Sequence, residues 1–368
     1  MVEVGQLTDD AVVVTFAVPD TLRPTFDFAA GQHLTVRRMV DGVDVRRSYS
    51  ISSTPAELHR TGRLRIGIKR IPGGAFSGYA ATLRAGQTVE VLPPLGSFTS
   101  AFDPGRSRRY AAVVAGSGIT PVLSLVATAL ATEPASRFTL LYGNRYARGV
   151  MFVEELSDLK DRYPDRLQVV HVLSREPQDA ELLSGRLDAD RLGRLLDALV
   201  PAETVDEWFL CGPYRMVLDA KAVLGARGVP ADRIRTELFH VEAAPPSTRE
   251  PGRAADDRPG GAANEPPGGD ADDPPGGDAE ITIRLDGRAS SFIMPRDGRV
   301  LDAALRVRPD LPYACKGGVC STCRAWVLDG AVSMARNFAL EPDEVAAGYV
   351  LTCQSSPVTD RVTVDYDA

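Results

Sequence analysis

The stretch Cys315-Lys-Gly-Gly-Val-Cys320-Ser-Thr-Cys323, followed much later by Cys353, decides the fold of the C-terminal part of this chain. The spacing reads C-x4-C-x2-C, then 29 residues, then the last cysteine. Four thiolates at this spacing are typical of a plant-type 2Fe-2S site, and the two glycines let the loop fold closely around the sulfurs. Zinc sites favour two separated C-x2-C pairs. A disulfide framework and cysteines scattered through the core are the competing interpretations.

The composition describes an ordinary soluble protein of two or three domains. The chain has 368 residues, of which 44% are hydrophobic and 25% are charged. A net charge of −7 argues against a general nucleic-acid binder and against a basic membrane-surface patch. We see no signal segment and no apolar run of the roughly 20 residues that a membrane span needs. Five cysteines without a secretory signal indicate a reducing interior, so we expect a cytoplasmic protein.

The N-terminal part has the pattern of a small β-domain. Short runs rich in β-branched residues recur between glycines and prolines, at 12–18, 33–36, 64–68 and 88–92. Strands at this spacing predict an antiparallel β-barrel or sandwich over 1–104, with one helix at about 77–83.

The pattern changes at Tyr110. Apolar strands then alternate with helical segments, which predicts an α/β domain with a parallel sheet over 105–242. Residues 243–279 consist mostly of Pro, Gly, Asp, Glu and Ala, which predicts a disordered or semi-extended acidic linker.

The last segment, 280–368, predicts an α+β domain of the β-grasp, ferredoxin-like type, with a mixed sheet and a single helix at about 300–305. Asp286-Gly287 is a hairpin signal. A second hairpin is predicted to join 324–328 to 331–334. The cysteine loop should lie at the edge of this sheet.

Two segments have features of phosphate sites. Gly116-x-Gly118 lies between an apolar strand and a helix, where glycines and free N–H groups suit a phosphate. The dinucleotide fingerprint is incomplete because Pro121 stands in place of the third glycine, so a different nucleotide pocket or a plain tight turn is indicated. On a strand, Arg47 and Tyr49 share one face, and a cation beside a phenol suits a phosphate with an adjacent ring.

Taken together, these motifs resemble the ferredoxin–NADP reductase superfamily. The resemblance rests on Arg47-x-Tyr49-Ser50, the turn Gly116-Ser-Gly118-Ile-Thr120-Pro121 and Cys211-Gly212-Pro213. With the cysteine motif, the domain order is similar to that of oxygenase reductases, which run flavin, nicotinamide and ferredoxin domains. Asn337-x-Ala-Leu340 and Gly348-Tyr-Val-Leu-Thr-Cys353-Gln354 resemble, more narrowly, the reductase subunits of phenylacetyl-CoA epoxidases.

The resemblance implies a flavin site in the first domain. Arg47 should bind the flavin phosphate, Tyr49 should pack against the isoalloxazine or ribityl region, and Ser50 should lie near flavin N5. Gly74 and Ser77 should hold the FAD pyrophosphate.

It also implies a coenzyme site in the second domain. The residues expected to receive the nicotinamide dinucleotide are Gly116, Gly118, Thr120, Pro121, Gly212 and Pro213. Cys211 should lie beside the nicotinamide ring, although a simply buried free cysteine is the alternative. Glu237 and Phe239 should lie next to the flavin. Ser50, Cys211 and Glu237 are thus the candidate catalytic residues.

Coenzyme choice depends on the end of one strand. Ser174 and Arg175 suit the 2′-phosphate of NADPH, whereas NAD sites usually place an acid there, so NADH is the less expected coenzyme. Arg145 adds a second cation. The alternative is a surface arginine paired with the adjacent Glu176.

These features predict a reductase that passes electrons from NADPH through FAD to the cluster of Cys315, Cys320, Cys323 and Cys353. The resemblance implies a di-iron oxygenase as partner. A steroid or aromatic-ring hydroxylase is the alternative partner, and a non-enzymatic redox sensor is an alternative of another class. The four histidines, at positions 33, 59, 171 and 240, are interpreted as structural.

Overall fold

The computed structural model describes residues 3–40, 42–72, 74–239 and 277–368. Most of the predicted linker, 243–276, lies outside these residues, as does His240. The last predicted linker residues already belong to a strand, which begins at Asp278. Within the described ranges, no helix combines the length and the apolar character that crossing a bilayer requires.

The N-terminal part forms two antiparallel sheets of three strands each, ordered β1-β2-β5 and β4-β3-β6. The strands are β1 Glu3–Thr8, β2 Ala11–Ala17, β3 His33–Val40, β4 Val43–Ser50, β5 Arg63–Lys69 and β6 Glu90–Val91. Two helices accompany them, α1 Pro55–Thr61 and α2 Ala75–Ala80. The inward faces meet in one apolar core that includes Val14, Leu34 and Ile66. The predicted antiparallel β-domain is confirmed. Its predicted helix is α2, which begins two residues earlier, directly after Gly74, and α1 was not predicted.

The middle part is a parallel five-stranded sheet, ordered β11-β10-β7-β8-β9. Its strands are β7 Arg109–Ala115, β8 Arg137–Asn144, β9 Leu167–Leu173, β10 Glu207–Gly212 and β11 Ile234–Leu238. Its helices are α3 Ile119–Thr132, α4 Val153–Arg162, α5 Ala189–Leu199 and α6 Tyr214–Ala226. Each face of the sheet packs into its own apolar cluster, with Phe209 on one face and Trp208 on the other. This confirms the predicted α/β domain.

Parallel strands place all their carboxyl ends at one edge of the sheet. The carboxyl ends of these five strands and the segments that follow them therefore meet there, and they contain every residue predicted to bind the coenzyme. A cavity of about 480 Å³ opens at the opposite, amino-terminal edge, lined by Arg109 and Arg137. That cavity is not at the predicted site.

The C-terminal part is a mixed sheet ordered β13-β12-β18-β14-β16, with a separate β15-β17 pair. The strands are β12 Asp278–Leu285, β13 Arg288–Pro295, β14 Arg324–Asp329, β15 Val332–Met334, β16 Tyr349–Leu351, β17 Ser355–Pro357 and β18 Arg361–Asp365. Only β12 and β18 run parallel within this sheet. The helices are α7 Val300–Ala304 and α8 Pro342–Ala346.

Two predictions for this part were wrong. Strand β15 does not form a hairpin with β14, because it pairs with β17 while β14 lies between β18 and β16. Gly330, at φ +78°, turns the chain sharply between them, so close to the Arg361 carbonyl that a side chain there would clash. The prediction of a single helix missed α8, a five-residue helix closed by a capping box between Glu341 and Glu344.

Candidate redox site

The cysteine loop gathers the four predicted ligands into two pairs. Cys315 and Cys320 lie close enough for each thiol to shift the pKa of the other, and Cys323 and Cys353 form a second such pair. The amide of Gly317 donates to Cys315 Sγ at 3.3 Å. The loop is bent by left-handed residues, among them Lys316 and Ser321. The local sequence thus brings the sulfurs together and supplies them with N–H donors.

This arrangement fits a 2Fe-2S cluster. Among the residues that the structure describes, no three His, Cys, Asp or Glu side chains converge as ligands of a single metal ion. Two pairs of thiols suit two irons, whereas structural zinc is held by four ligands around one centre. Gln354 ties the distant cysteine to the loop, because its Nε2 donates to Lys316 O at 2.9 Å and lies 3.6 Å from Cys353 Sγ.

The predicted flavin motif lies on β4. Arg47 is exposed, Tyr49 is half-buried with its ring centre 5.6 Å from that of Phe76, and Ser50 is buried. Burial raises the pKa of Tyr49, so its phenol keeps its proton at neutral pH. An exposed guanidinium beside a half-covered ring on one strand face fits a flavin phosphate next to its ring system.

The Gly74 turn is tightly built. A Cβ on Gly74 would lie 2.4 Å from Ser77 Oγ and 3.0 Å from the Ile71 carbonyl oxygen. Ser77 Oγ accepts a hydrogen bond from Ile71 N at 3.1 Å. Ser77 therefore shapes the turn that leads into α2, and a side chain at position 74 would have to displace the Ser77 hydroxyl. This close-packed turn is compatible with the predicted pyrophosphate contact at its backbone.

Glu237 joins the flavin motif to the second domain. Ser50 Oγ donates to Glu237 Oε2 at 3.0 Å, although the two residues are 187 positions apart. Burial raises the pKa of Glu237 to about 8, while the Ser50 hydrogen bond opposes the rise. Its side chain is only 12% exposed. At neutral pH the carboxyl group is therefore mostly protonated and uncharged.

His33 also lies at this junction, where it contacts residues from both other regions. Its Nδ1 is 3.9 Å from Glu237 Oε1, and its Nε2 is 3.5 Å from Thr322 Oγ1 in the cysteine loop. Burial lowers the pKa of His33 to about 4, so the ring is neutral. A lone histidine on a β-strand gave no sequence signal for this position, because the contacts come from residues more than 200 positions away.

The glycine turn and Cys211 lie against each other at the carboxyl edge of the parallel sheet. A Cβ on Gly118 would come within 2.2 Å of the Cys211 carbonyl oxygen, so only glycine fits. Gly116 has φ +56° and open space around it. Thr120 Oγ1 donates to the Ser117 carbonyl at 2.9 Å and fastens the turn.

Cys211 is fully buried and is the register partner of Glu237 across β10 and β11. Burial raises the pKa of the Cys211 thiol, and the nearby Glu237 adds to the shift. Pro121 is in the first turn of α3, where its missing N–H costs no hydrogen bond. Of the remaining predicted residues, Gly212 ends β10 and Pro213 follows it, and Phe239, which is 38% exposed, follows β11.

The predicted 2′-phosphate residues are adjacent. Arg175 N donates to the Arg145 carbonyl at 2.9 Å, so the ends of β8 and β9 carry both arginines side by side, and both are exposed. Ser174, which precedes Arg175, is half-buried. Glu176 Oε2 accepts from the amide of Ala147 at 2.9 Å, which directs this carboxylate to the backbone.

Three family models match in the order of the three regions. They are an oxidoreductase FAD-binding domain at residues 1–100, an oxidoreductase NAD-binding domain at 113–222 and a 2Fe-2S iron-sulfur cluster binding domain at 283–358. The residues brought together above come from all three. The matches support FAD, a nicotinamide dinucleotide and a 2Fe-2S cluster as the cofactors.

Relatives and solved structures agree with this order. The chain is 44% identical to one of the subunits of 1,2-phenylacetyl-CoA epoxidase of Escherichia coli K12, over 98% of this chain and 95% of that protein. It is 35% identical to the ferredoxin reductase component of a 3-ketosteroid-9-alpha-monooxygenase of Rhodococcus rhodochrous, over 98% and 93%. Phthalate dioxygenase reductase shares the fold, with a TM-score of 0.54 and 21% identity over 99% and 95% of the two chains. The chain is therefore an oxidoreductase of the oxygenase-reductase family to which that epoxidase subunit belongs.

Proposed function

We propose that this chain takes electrons from NADPH and passes them through FAD and its 2Fe-2S cluster to a di-iron oxygenase that epoxidises phenylacetyl-CoA, in the cytoplasm. The observation that carries the proposal is the junction of Ser50, Glu237, His33 and Thr322. It connects the flavin motif, the coenzyme edge and the cysteine loop within hydrogen-bonding or near-contact distances. The similarity to a phenylacetyl-CoA epoxidase subunit supports the choice of partner.

The test combines the purified chain with the catalytic subunits of a phenylacetyl-CoA epoxidase. We expect NADPH oxidation to depend on phenylacetyl-CoA and to yield the epoxide. A second candidate is the reductase of a steroid hydroxylase, which the similarity to the 3-ketosteroid-9-alpha-monooxygenase component favours. Substrate-dependent turnover with that oxygenase, and none with the epoxidase subunits, would select the second candidate. Steady reduction of an artificial dye by NADPH would distinguish both reductase candidates from a redox sensor, which has no such turnover.

The chain's own residues bind and orient the flavin and the nicotinamide coenzyme. Arg47 is assigned to the flavin phosphate and Tyr49 to the flavin ring, while Cys211 and Gly118 shape the space where the nicotinamide approaches. Ser50 and the uncharged Glu237 would line the edge of the flavin that receives the hydride. A bound flavin accepts an electron pair and releases single electrons, which the 2Fe-2S cluster then carries onward. The protein therefore contributes positioning and local electrostatics, and it needs no acid–base dyad.

The first prediction concerns coenzyme choice. Replacing Arg175 with glutamate should raise KM for NADPH by about 10- to 100-fold, because a charged hydrogen bond to a phosphate contributes about 1.5–3 kcal/mol. KM for NADH, which lacks that phosphate, should change little. Steady-state dye reduction with both coenzymes measures this. Arg162→Glu is the charge-matched control, since Arg162 is exposed on α4. An equal loss with both coenzymes would remove Arg175 from the 2′-phosphate site.

The second prediction concerns pH. Because the pKa of Glu237 is raised to about 8, the carboxyl is neutral below that pH and negatively charged above it. A negative charge beside the arriving hydride disfavours transfer, so flavin reduction should slow as pH rises through about 8. Glu237→Gln stays neutral and should give a flat profile over roughly pH 6 to 9.

Stopped-flow flavin reduction across this range measures the effect. Glu203→Gln is the control, since it removes an exposed carboxyl elsewhere in the same region. It should keep the wild-type profile. A profile of Glu237→Gln that still falls at about pH 8 would exclude Glu237 as its source.

A further inference from the structure

Arg46 is a buried guanidinium, 4% exposed, next to the flavin motif but outside it. Its Nη1 donates to the carbonyl of Leu311 at 3.0 Å, and its Nη2 lies 3.4 Å from the carbonyl of Pro309. These carbonyls belong to the segment that runs directly into Cys315. The contacts join residues 265 and 263 positions apart, so they connect the first region with the last.

The same guanidinium makes two more contacts. Nε and Nη2 donate to Asp44 Oδ2 at 3.2 and 3.0 Å, which neutralises the buried charge. The guanidinium carbon lies 4.2 Å above the ring of Tyr313, and Lys316 Nζ lies 5.0 Å from the same ring. The ring of Tyr313, two residues before Cys315, thus lies within cation–π distance of two cations. A buried charge with this many partners is stable, and removing it would leave the Asp44 carboxylate and both carbonyls without this donor.

Strand β4 therefore has two functional faces. Side chains alternate along a strand, so Arg47 and Tyr49 point to one side while Asp44 and Arg46 point to the other. The β4 ladder with β3 is regular from Val43 to Ser50, which makes the strand a rigid connection between both faces. A single strand thus carries Arg47 and Tyr49 of the flavin motif on one face and holds the approach to the cysteine loop on the other.

We propose that Arg46 is a positioning residue that docks the cluster-bearing region onto the flavin domain and so fixes the distance between flavin and cluster. The inference rests on the proposed path from FAD to the cluster. The rate of electron transfer falls steeply with distance, so loosening this contact slows the flavin-to-cluster step. The coenzyme-to-flavin step does not cross this contact and is unaffected.

The experiment compares Arg46→Ala and Arg46→Lys with Arg37→Ala in the full chain loaded with FAD and cluster. Arg37 is the matched control, because it also donates to Asp44, at 3.1 Å, but its side chain is 40% exposed and it lies on β3. In anaerobic stopped-flow with NADPH, Arg46→Ala should slow cluster reduction by about tenfold or more and leave flavin reduction unchanged. Arg46→Lys keeps the positive charge but loses the planar set of guanidinium donors. Its rate of cluster reduction should lie between those of the wild type and Arg46→Ala.

Small-angle scattering gives a readout that does not depend on turnover. The radius of gyration of Arg46→Ala should exceed those of the wild type and Arg37→Ala, because the cluster-bearing region is released. Tyr313→Leu removes the ring contact with Arg46 but leaves the two carbonyl contacts, so it should show both effects to a smaller degree, which keeps the test valid where Arg46→Ala does not fold.

Two outcomes would overturn the inference. One is wild-type cluster reduction and an unchanged radius of gyration in both Arg46→Ala and Tyr313→Leu. The other is an equal slowing of flavin and cluster reduction, which marks a general structural role. Failure of the wild-type cluster to accept electrons from NADPH would instead refute the proposed function and is seen without any variant.

Discussion

Replacing Cys353 with serine is expected to abolish electron output from this protein while NADPH still reduces its flavin. Cys353 is buried and lies near Cys323, so its loss removes one of the four thiolates that are predicted to hold the cluster. Even changes outside the ligand shell of a metal site cost about 10- to 100-fold, so losing a ligand should lower output more than about 100-fold. Iron content and cluster absorbance should fall with it.

The measurement compares cytochrome c reduction, which reports output, with ferricyanide reduction, which reports flavin turnover. Cys211→Ser provides the contrast, since it changes the other type of cysteine in this chain. That variant should keep its iron and its cluster absorbance. Full iron content and wild-type output in Cys353→Ser would mean that Cys353 is not a ligand.

Gly118→Ala should have the second largest effect. The added methyl would sit 2.2 Å from the Cys211 carbonyl oxygen and 2.7 Å from its carbon, both of them backbone atoms that cannot rotate away. The turn or the end of β10 must move by about an ångström, and a displacement of that size at a reacting site can cost about 100-fold in rate. Stopped-flow reduction of the flavin by NADPH measures this step directly.

Gly225→Ala is the control for this prediction. Gly225 lies near the C-terminal end of α6, outside the predicted coenzyme residues, with open space where the methyl would go. The added methyl touches no other atom there, so no atom must move. Its flavin reduction should therefore stay within a few-fold of the wild type. Similar rates for the two variants would show that the Gly118 contact does not limit the coenzyme site.

The sequence predicted the arrangement of residues wherever the pattern lies within a short segment or repeats regularly along the chain. The cysteine spacing predicted four thiols in one place, because three of them share a single short loop. Apolar strands alternating with helices predicted the parallel sheet, and the G-x-G turn then fell at its carboxyl edge by topology. The residues after β8 and β9 meet for the same reason, which brought Arg145 next to Arg175 as the coenzyme prediction required.

Contacts between distant segments were not predictable. His33 and Arg46 looked like ordinary strand residues, and only the docking of the last region onto the first gives them partners. The wrong partner predicted for β15 has the same origin. A turn signal specifies where the chain bends, but it does not specify that the next strand pairs with β17 and not with β14. Pro309 and Tyr313, which precede the cysteine loop, belong to no recognisable motif. Their contacts with Arg46 on β4 could therefore not be predicted.

The proposed electron path is tested most directly by mixing the full chain anaerobically with excess NADPH and following the flavin and cluster absorbance together. We expect the flavin to bleach first and the cluster to follow, and each chain to take up three electrons, two in FAD and one in the cluster. Reduction of the flavin with a cluster that stays oxidised would contradict this path.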